Sequence, residues 1–243
     1  MTAFEMAYRC AEPFLPPLYA SVRRQLLAIT GPDERPRELL DVGGRKSHYT
    51  IGVPANVTIS ELPRETETQV ALGLGVTEEM VARTRDRRSN VRAIVLDDMT
   101  RSALPDASFD LAVAVEVLEH VEEDALFVRE VARVLRPGGV FLMTTPNGDT
   151  TPKPHNADHK RHYTRAQLRE LLSSVFPDVH VEYAVVGSRF RRAGLKSWSV
   201  RHPLRTVASM GANVINRLES ARPDVPARAI GTRHLIARAV RGR

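Results

Sequence analysis

Three side chains in the middle of the chain, Glu116, Glu119 and His120, stand at i, i+3 and i+4. On a helix start that spacing sets two carboxylates and an imidazole on one face. Such a set can hold a divalent cation through oxygen and nitrogen. A cation there would act as a Lewis acid on a substrate hydroxyl, lowering its pKa. Without one, His120, or His159 further along, is the candidate general base. The same residues also admit a purely structural reading, in which Glu119 and His120 cap and orient the helix.

Those groups need elements to position them, and residues 109–147 supply a sequence pattern for it. A buried strand over Leu111–Val115, a helix carrying Glu116, Glu119 and His120 in its first turn, a Pro-Gly-Gly turn and a second buried strand over Val140–Thr145 make a β-α-β unit. Open α/β sheets bind ligands beyond the carboxyl ends of their strands, and Glu116, Glu119, His120 and Asn147 all fall at that edge. Upstream, Leu39–Val42 is a short apolar strand that runs into Gly43 and Gly44, where the backbone can turn sharply and come close to a ligand. A second strand ends at Glu61, twenty residues after Asp41, the place where a nucleotide-binding unit bonds ribose hydroxyls. Few residues separate these two strands and Pro54 limits any helix between them, so the first crossover must be short or irregular. A third strand, Val91–Leu96, ends at Asp97-Asp98-Met99; Val179–Val186 and His234–Val240 read as later strands.

Around this frame, residues 4–29 read as two short helices interrupted by Pro13, Pro16 and Pro17, a lid over the strand mouth in which Tyr8 and Phe14 could line a pocket. Residues 65–88 are helical in pattern, and their basic finish, RTRDRRSN, reads as a solvated face. Thr164 is an N-cap for a helix on Leu168, Leu171, Leu172 and Val175. Residues 188–230 form a basic helical insertion, broken at Pro203, Pro223 and Pro226, in which Arg189, Arg191, Arg192, Arg201 and Arg205 make a stripe suited to an anionic acceptor or a membrane surface. His155, His162 and Tyr163 are further candidates for substrate contact.

Length and composition set outer bounds. A chain of 243 residues, 42% hydrophobic, can bury one large core, and a single domain over 1–243 is expected: a cap (1–36), a core (37–187), the insertion (188–230) and a last strand with tail (231–243). A net charge of +6 favours anionic contacts without choosing among them. Cys10 is the only cysteine and reads as a packed thiol; no internal disulfide can form, and a cytoplasmic location is expected. No apolar run reaches the length of a membrane span. Aromatic residues at 5% weaken an RNA-stacking platform.

The order of a strand-glycine turn, an acidic strand end, Asp-Asp-Met, LPDASFD, VEVLEHV, VLRPGG and TTPN, spread over Leu39 to Phe176, resembles the class I S-adenosylmethionine-dependent methyltransferases. The resemblance implies a doubly wound, Rossmann-like α/β fold with a seven-stranded, mostly parallel sheet, an N-terminal helical lid and a helical insertion before the last strand. It implies that Asp41, Gly43 and Gly44 border the methionine part of S-adenosylmethionine, Glu61 holds the ribose, Asp98 and Met99 bracket the adenine, and Val115 touches the cofactor. The family's glycine turn departs here, since Arg45 and Ser47 fill the second and third glycine places; Gly44 would supply the close approach, with Arg45 helping at the carboxylate end. The ExxEH string is similar to that of ubiquinone-pathway O-methyltransferases and small-RNA 2′-O-methyltransferases, in which these positions ligate a metal. By the second likeness His159 is a fourth ligand beside Glu116, Glu119 and His120, for magnesium or manganese. The expected activity is O-methylation of a small-molecule or glycan-like hydroxyl; RNA ribose methylation, or a catalytically inactive partner protein, are the alternatives.

Overall fold

The computed structural model describes residues 2–31, 35–44, 47–62, 78–154, 156–195, 198–199 and 201–243. Seven strands form one sheet: β1 (Arg37–Val42), β2 (Ala55–Glu61), β3 (Val91–Leu96), β4 (Phe109–Val115), β5 (Leu135–Pro146), β6 (Asp178–Val186) and β7 (Thr232–Val240). Their spatial order is β3-β2-β1-β4-β5-β7-β6. All pairings are parallel except those of β7, which lies antiparallel between β5 and β6. This is the Rossmann-like, mostly parallel sheet that the sequence implies.

Strands buried on both faces read as continuous apolar runs, with alternate side chains feeding opposite layers. In β1, Leu40 joins one layer, with Phe127 and Val131 of α4 (Asp124–Val134) and Leu168 and Leu172 of α5 (Arg165–Ser173). Its neighbour Leu39 joins the other, against Val22 and Leu26 of α2 (Pro17–Thr30). Val22 and Leu26 are fully buried, each contributing about 1.5–3 kcal/mol by removal from water. The β1–β2 crossover is indeed short: its described residues hold no α-helix, and α2, which precedes the sheet in sequence, covers that face instead.

Helix α1 (Ala3–Ala11) and a 3-10 turn at Glu12–Phe14 complete the cap, while α3 (Glu78–Arg87) precedes β3. The glycine-containing part of the 65–88 segment lies outside the described residues. Between β6 and β7 the insertion folds as a single turn α6 (Arg191–Gly194) and a long α7 (Pro203–Ser220). No described helix is long and apolar enough to cross a membrane.

Several local expectations are corrected. Glu116, Glu119 and His120 do not share a helix face: Glu116 has φ +55°, Leu118–His120 is one 3-10 turn, and α4 begins only at Asp124. Buried Leu118 and a hydrogen bond from the Lys160 amide to the Glu119 carbonyl (2.7 Å) pin this segment to the loop after β5, and Val121 is extended. Pro203 starts α7 rather than breaking it, as a proline at the first helical position can. Cys10 is exposed on α1, whose buried residues are Glu5 and Tyr8. The basic run is not wholly solvated, because Arg88 is 4% exposed.

Candidate active site

Strand register brings one row of residues to the carboxyl edge. Val42 pairs with Ser60 and with Ala114, and Glu61 pairs with Leu96. Asp97-Asp98, Glu61, Gly43 and Val115 therefore follow one another across the four adjacent tips of β3, β2, β1 and β4. Gly43 is exposed with φ +67°, and its amide donates to the Ser60 carbonyl (2.8 Å), so the chain leaves β1 through a left-handed turn that suits glycine. Asp98 is partly exposed; its carboxylate accepts from the Thr100 amide (2.9 Å) and hydroxyl (2.8 Å) and from Arg101 (3.2 Å). Met99 is buried in the core layer of Leu40 and Val42, so its side chain packs inward.

Asp41 and Gly44 differ from expectation. Asp41 is fully buried, and its carboxylate accepts from Ser47 Oγ (2.6 Å), Tyr49 Oη (3.0 Å) and Thr50 Oγ1 (2.8 Å). Arg88 donates to Thr50 (2.5 Å) and Ser47 (3.4 Å) from the far side. Burial pushes the Asp41 carboxyl up, while Arg88 and the three hydroxyls pull it back. A Cβ on Gly44 would overlap this carboxylate, so the missing side chain makes room for Asp41 rather than for a ligand. Ser47, in the third glycine place, is part of what closes the turn. Arg45 lies outside the described residues.

The ExxEH residues split into two groups. Glu116, turned back by its left-handed backbone, accepts from Thr144 Oγ1 (2.9 Å) and faces His234 Nδ1 of β7 at 3.2 Å. Glu119, His120 and His159 form the other group, with ligand-capable atoms all within 4.8 Å of one another. His120 Nδ1 lies 3.1 Å from the Asp158 carbonyl, which can only accept, so in the neutral ring Nε2 is the nitrogen with the lone pair. His162 Nδ1 likewise faces the Thr151 carbonyl (2.6 Å), so its Nε2 accepts from His159 Nδ1 (2.9 Å) and leaves a lone pair on His159 Nε2. His162 thus orients His159, the role of an outer partner to a metal-binding imidazole.

Burial and the neighbouring Glu116 charge hold the Glu119 carboxyl well above the usual carboxylate range. For Glu116, burial acts upward too, but the charge of His234, 3.2 Å away, with the Thr144 hydroxyl, outweighs it and holds the group below that range. The two nearby carboxyls are thereby pushed in opposite directions. Glu119 Oε2 accepts from Thr145 Oγ1 (3.2 Å), whereas its buried Oε1 has no hydrogen-bond partner among the described residues. Burial, then His120 and His162, push the His159 imidazole down toward its neutral form. A carboxyl oxygen and two imidazole nitrogens fit a divalent cation of the first transition row or magnesium.

Beside this edge, under the cap, lies a cavity of about 560 Å³ walled by Tyr8, Tyr19, His48, Leu195 and Trp198 among others. His48 stacks on Tyr8 (centroids 6.4 Å apart) and tilts against Tyr19 (5.8 Å). Burial and the Glu116 charge both raise the Tyr19 phenol, so this wall lies within electrostatic reach of the strand-β4 tip. Tyr8 is placed as expected; Phe14 is not among these walls and gives its carbonyl to Asn213 (3.0 Å). Tyr163 is buried and donates to Asp124 (2.7 Å), a packing role. His155 lies outside the described residues. Half-buried Arg191, a member of the expected basic stripe, senses the Glu116 charge. His234 escaped the sequence reading because its strand comes late in the chain and returns to the mouth only through the antiparallel insertion of β7.

The family described as "Methyltransferase domain" matches residues 51–143. A probable S-adenosylmethionine-dependent methyltransferase of Mycolicibacterium smegmatis is 40% identical over 135 residues, covering 54% of this chain and 51% of that protein. The 27-O-demethylrifamycin SV methyltransferase of Amycolatopsis mediterranei is 38% identical over 156 residues, 62% of this chain and 54% of that protein. The chain spans about half the length of the curated relatives it matches. Among solved structures, the Burkholderia thailandensis 1,6-didemethyltoxoflavin-N1-methyltransferase, with bound 1,6-didemethyltoxoflavin and S-adenosylhomocysteine, shares the fold with a TM-score of 0.54 at 20% identity, covering 92% of this chain and 79% of that one.

Proposed function

We propose that the chain is a class I S-adenosylmethionine-dependent methyltransferase that methylates a hydroxyl oxygen of a small acceptor with help from a divalent cation. The observation that carries the finer reading is the convergence of Glu119, His120 and His159, with a buried Glu119 oxygen lacking a partner among the described residues. The row Gly43, Glu61, Asp98 and Val115 would hold the nucleotide, with Glu61 on the ribose and Val115 against the sulfonium end. When bound, the cation would lower the pKa of the acceptor hydroxyl.

Glu119, His120 and His159 would hold the cation through a carboxylate oxygen and two imidazole nitrogens. Glu116, kept ionised by His234, is the group placed to take the hydroxyl proton as the oxygen attacks the methyl carbon and the carbon-sulfur bond breaks. Donor and acceptor must lie in line, so positioning supplies much of the acceleration. The aromatic walls of the adjacent cavity suit an acceptor with an apolar ring or chain and support a small molecule over an RNA strand. The relative acting on demethylrifamycin is named for methylation at oxygen, which supports oxygen as the nucleophile.

Calorimetry with manganese tests the cation site. Wild type should bind it, and Glu119→Gln should abolish that binding while leaving the affinity for S-adenosylhomocysteine unchanged. Turnover indifferent to chelator would return Glu119 and His120 to a structural role.

A further inference from the structure

Helix α7 turns the usual amphipathic arrangement inside out. Its buried face is polar: Ser209 donates to the Gly194 carbonyl (3.1 Å), Asn213 donates to the carbonyls of Phe14 (3.0 Å) and Gly194 (2.9 Å), and Asn216 is buried beside them. Ser220 accepts from the Val186 amide (3.0 Å). Its outer face is apolar. Leu204, Val207 and Leu218 are 86%, 66% and 69% exposed, Ile215 is exposed with them, and Gly211 between them meets open space. Positions 204, 207, 211, 215 and 218 fall on one stripe about 100° wide.

The charge around this stripe selects its partner. Residues 188–222 contain eight Lys or Arg and a single acid, Glu219, whereas the whole chain has a net charge of only +6. This segment therefore carries the chain's entire positive excess. Two copies pairing through this face about a two-fold axis would set like charge against like. An apolar stripe with cations at its margins and ends is instead the pattern of a helix that lies in the surface of an anionic bilayer. We propose that α7 docks the protein on anionic membranes, with Leu204, Val207, Ile215 and Leu218 entering the acyl boundary and Arg192, Arg201 and Arg222 meeting the headgroups. Leu195 and Trp198, on the chain leading into α7, also line the cavity under the cap, so that cavity shares its border with the docking face. The inference does not depend on the methyl acceptor.

Flotation of the full chain with phosphatidylcholine vesicles, with and without phosphatidylglycerol, tests it. The wild type floats only with the anionic vesicles and is released by added salt, because the headgroup attraction is screened. Leu204→Asp/Val207→Asp/Leu218→Asp lowers the bound fraction on the order of tenfold or more with an unchanged melting temperature, since all three side chains are exposed. Arg192→Gln/Arg201→Gln moves release to lower salt. A wild type that stays in solution with both vesicles overturns the proposal, as does a triple variant that floats undiminished or a salt response unaltered by the arginine changes. Absence of vesicle binding together with a dimer that the aspartates dissociate would also overturn it and assign the face to a second copy.

Discussion

Asp41 shows how a glycine turn can close with two of its glycines replaced. Its carboxylate is enclosed by Ser47, Tyr49 and Thr50, with Arg88 behind them, and Gly44 is small because Asp41 occupies the space. Gly44→Ala should therefore lower stability by about 1–3 kcal/mol, the usual cost of overpacking, read as a fall in denaturant midpoint; an unchanged midpoint would mean the loop has room. Sequence placed these residues correctly at the mouth but assigned their chemistry to a ligand. The missed signal was the three hydroxyls at i+6, i+8 and i+9 from an acid in a buried strand. His234 was beyond such reading, because its meeting with Glu116 is a product of strand order. His234→Ala leaves the half-buried Glu116 carboxylate with Thr144 but without its facing imidazole and should cost about 1 kcal/mol. Adding Glu116→Gln should recover part of that loss, and a double-mutant cycle with zero coupling would dissolve the pair.

At the level of elements, one acid joins the first helix of the cap to the sheet side of the molecule. Glu5 closes a capping box with Thr2 on α1 and also accepts from the Ser89 amide (2.8 Å) and hydroxyl (2.9 Å), joining α1 to the segment before β3. Glu5→Ala should loosen α1, seen as faster hydrogen exchange over residues 3–11 with the sheet unaffected; equal exchange would show that the cap's other contacts, such as Asn213 and Arg217 on the carbonyls of Phe14 and Glu12, hold the lid. Asp110, at the start of β4, ties three segments: it accepts from the Glu38 amide (2.9 Å) and pairs with Arg136 (2.8 Å) and Arg35 (3.6 Å). Burial would raise its carboxyl, but these partners outweigh it and hold the group below the usual range. Its folded pKa is thus lower than its unfolded one, so its stabilisation is present above the unfolded carboxylate pKa and is lost as pH falls through the folded value. Acid titration of the melting temperature should show that loss, and Asp110→Asn should flatten this acid limb while lowering stability at neutral pH. Strands and caps were legible because β1, β3, β4 and the Thr164 cap follow period and capping chemistry. The ExxEH segment was not, since a left-handed Glu116 and a contact from residue 160 override its local helical spacing.

Over the whole molecule, function separates by charge and by edge. The carboxyl edge of β1 to β4 gathers acids and small residues, the Glu119 cluster lies near it, and the basic excess is carried by the insertion, whose Leu195 and Trp198 line the cavity. Composition announced the positive charge without its location; only the fold shows that it surrounds an outward apolar stripe. The central claim is that S-adenosylmethionine lies along the strand tips with its ribose on Glu61. Calorimetric titration of S-adenosylhomocysteine into wild type and Glu61→Ala tests it most directly. The account predicts one-to-one binding by the wild type and a weakening of about 1.5–3 kcal/mol in the variant, as expected for loss of charge-assisted hydrogen bonds. Absence of binding by the wild type, or equal affinity in the variant, would contradict it.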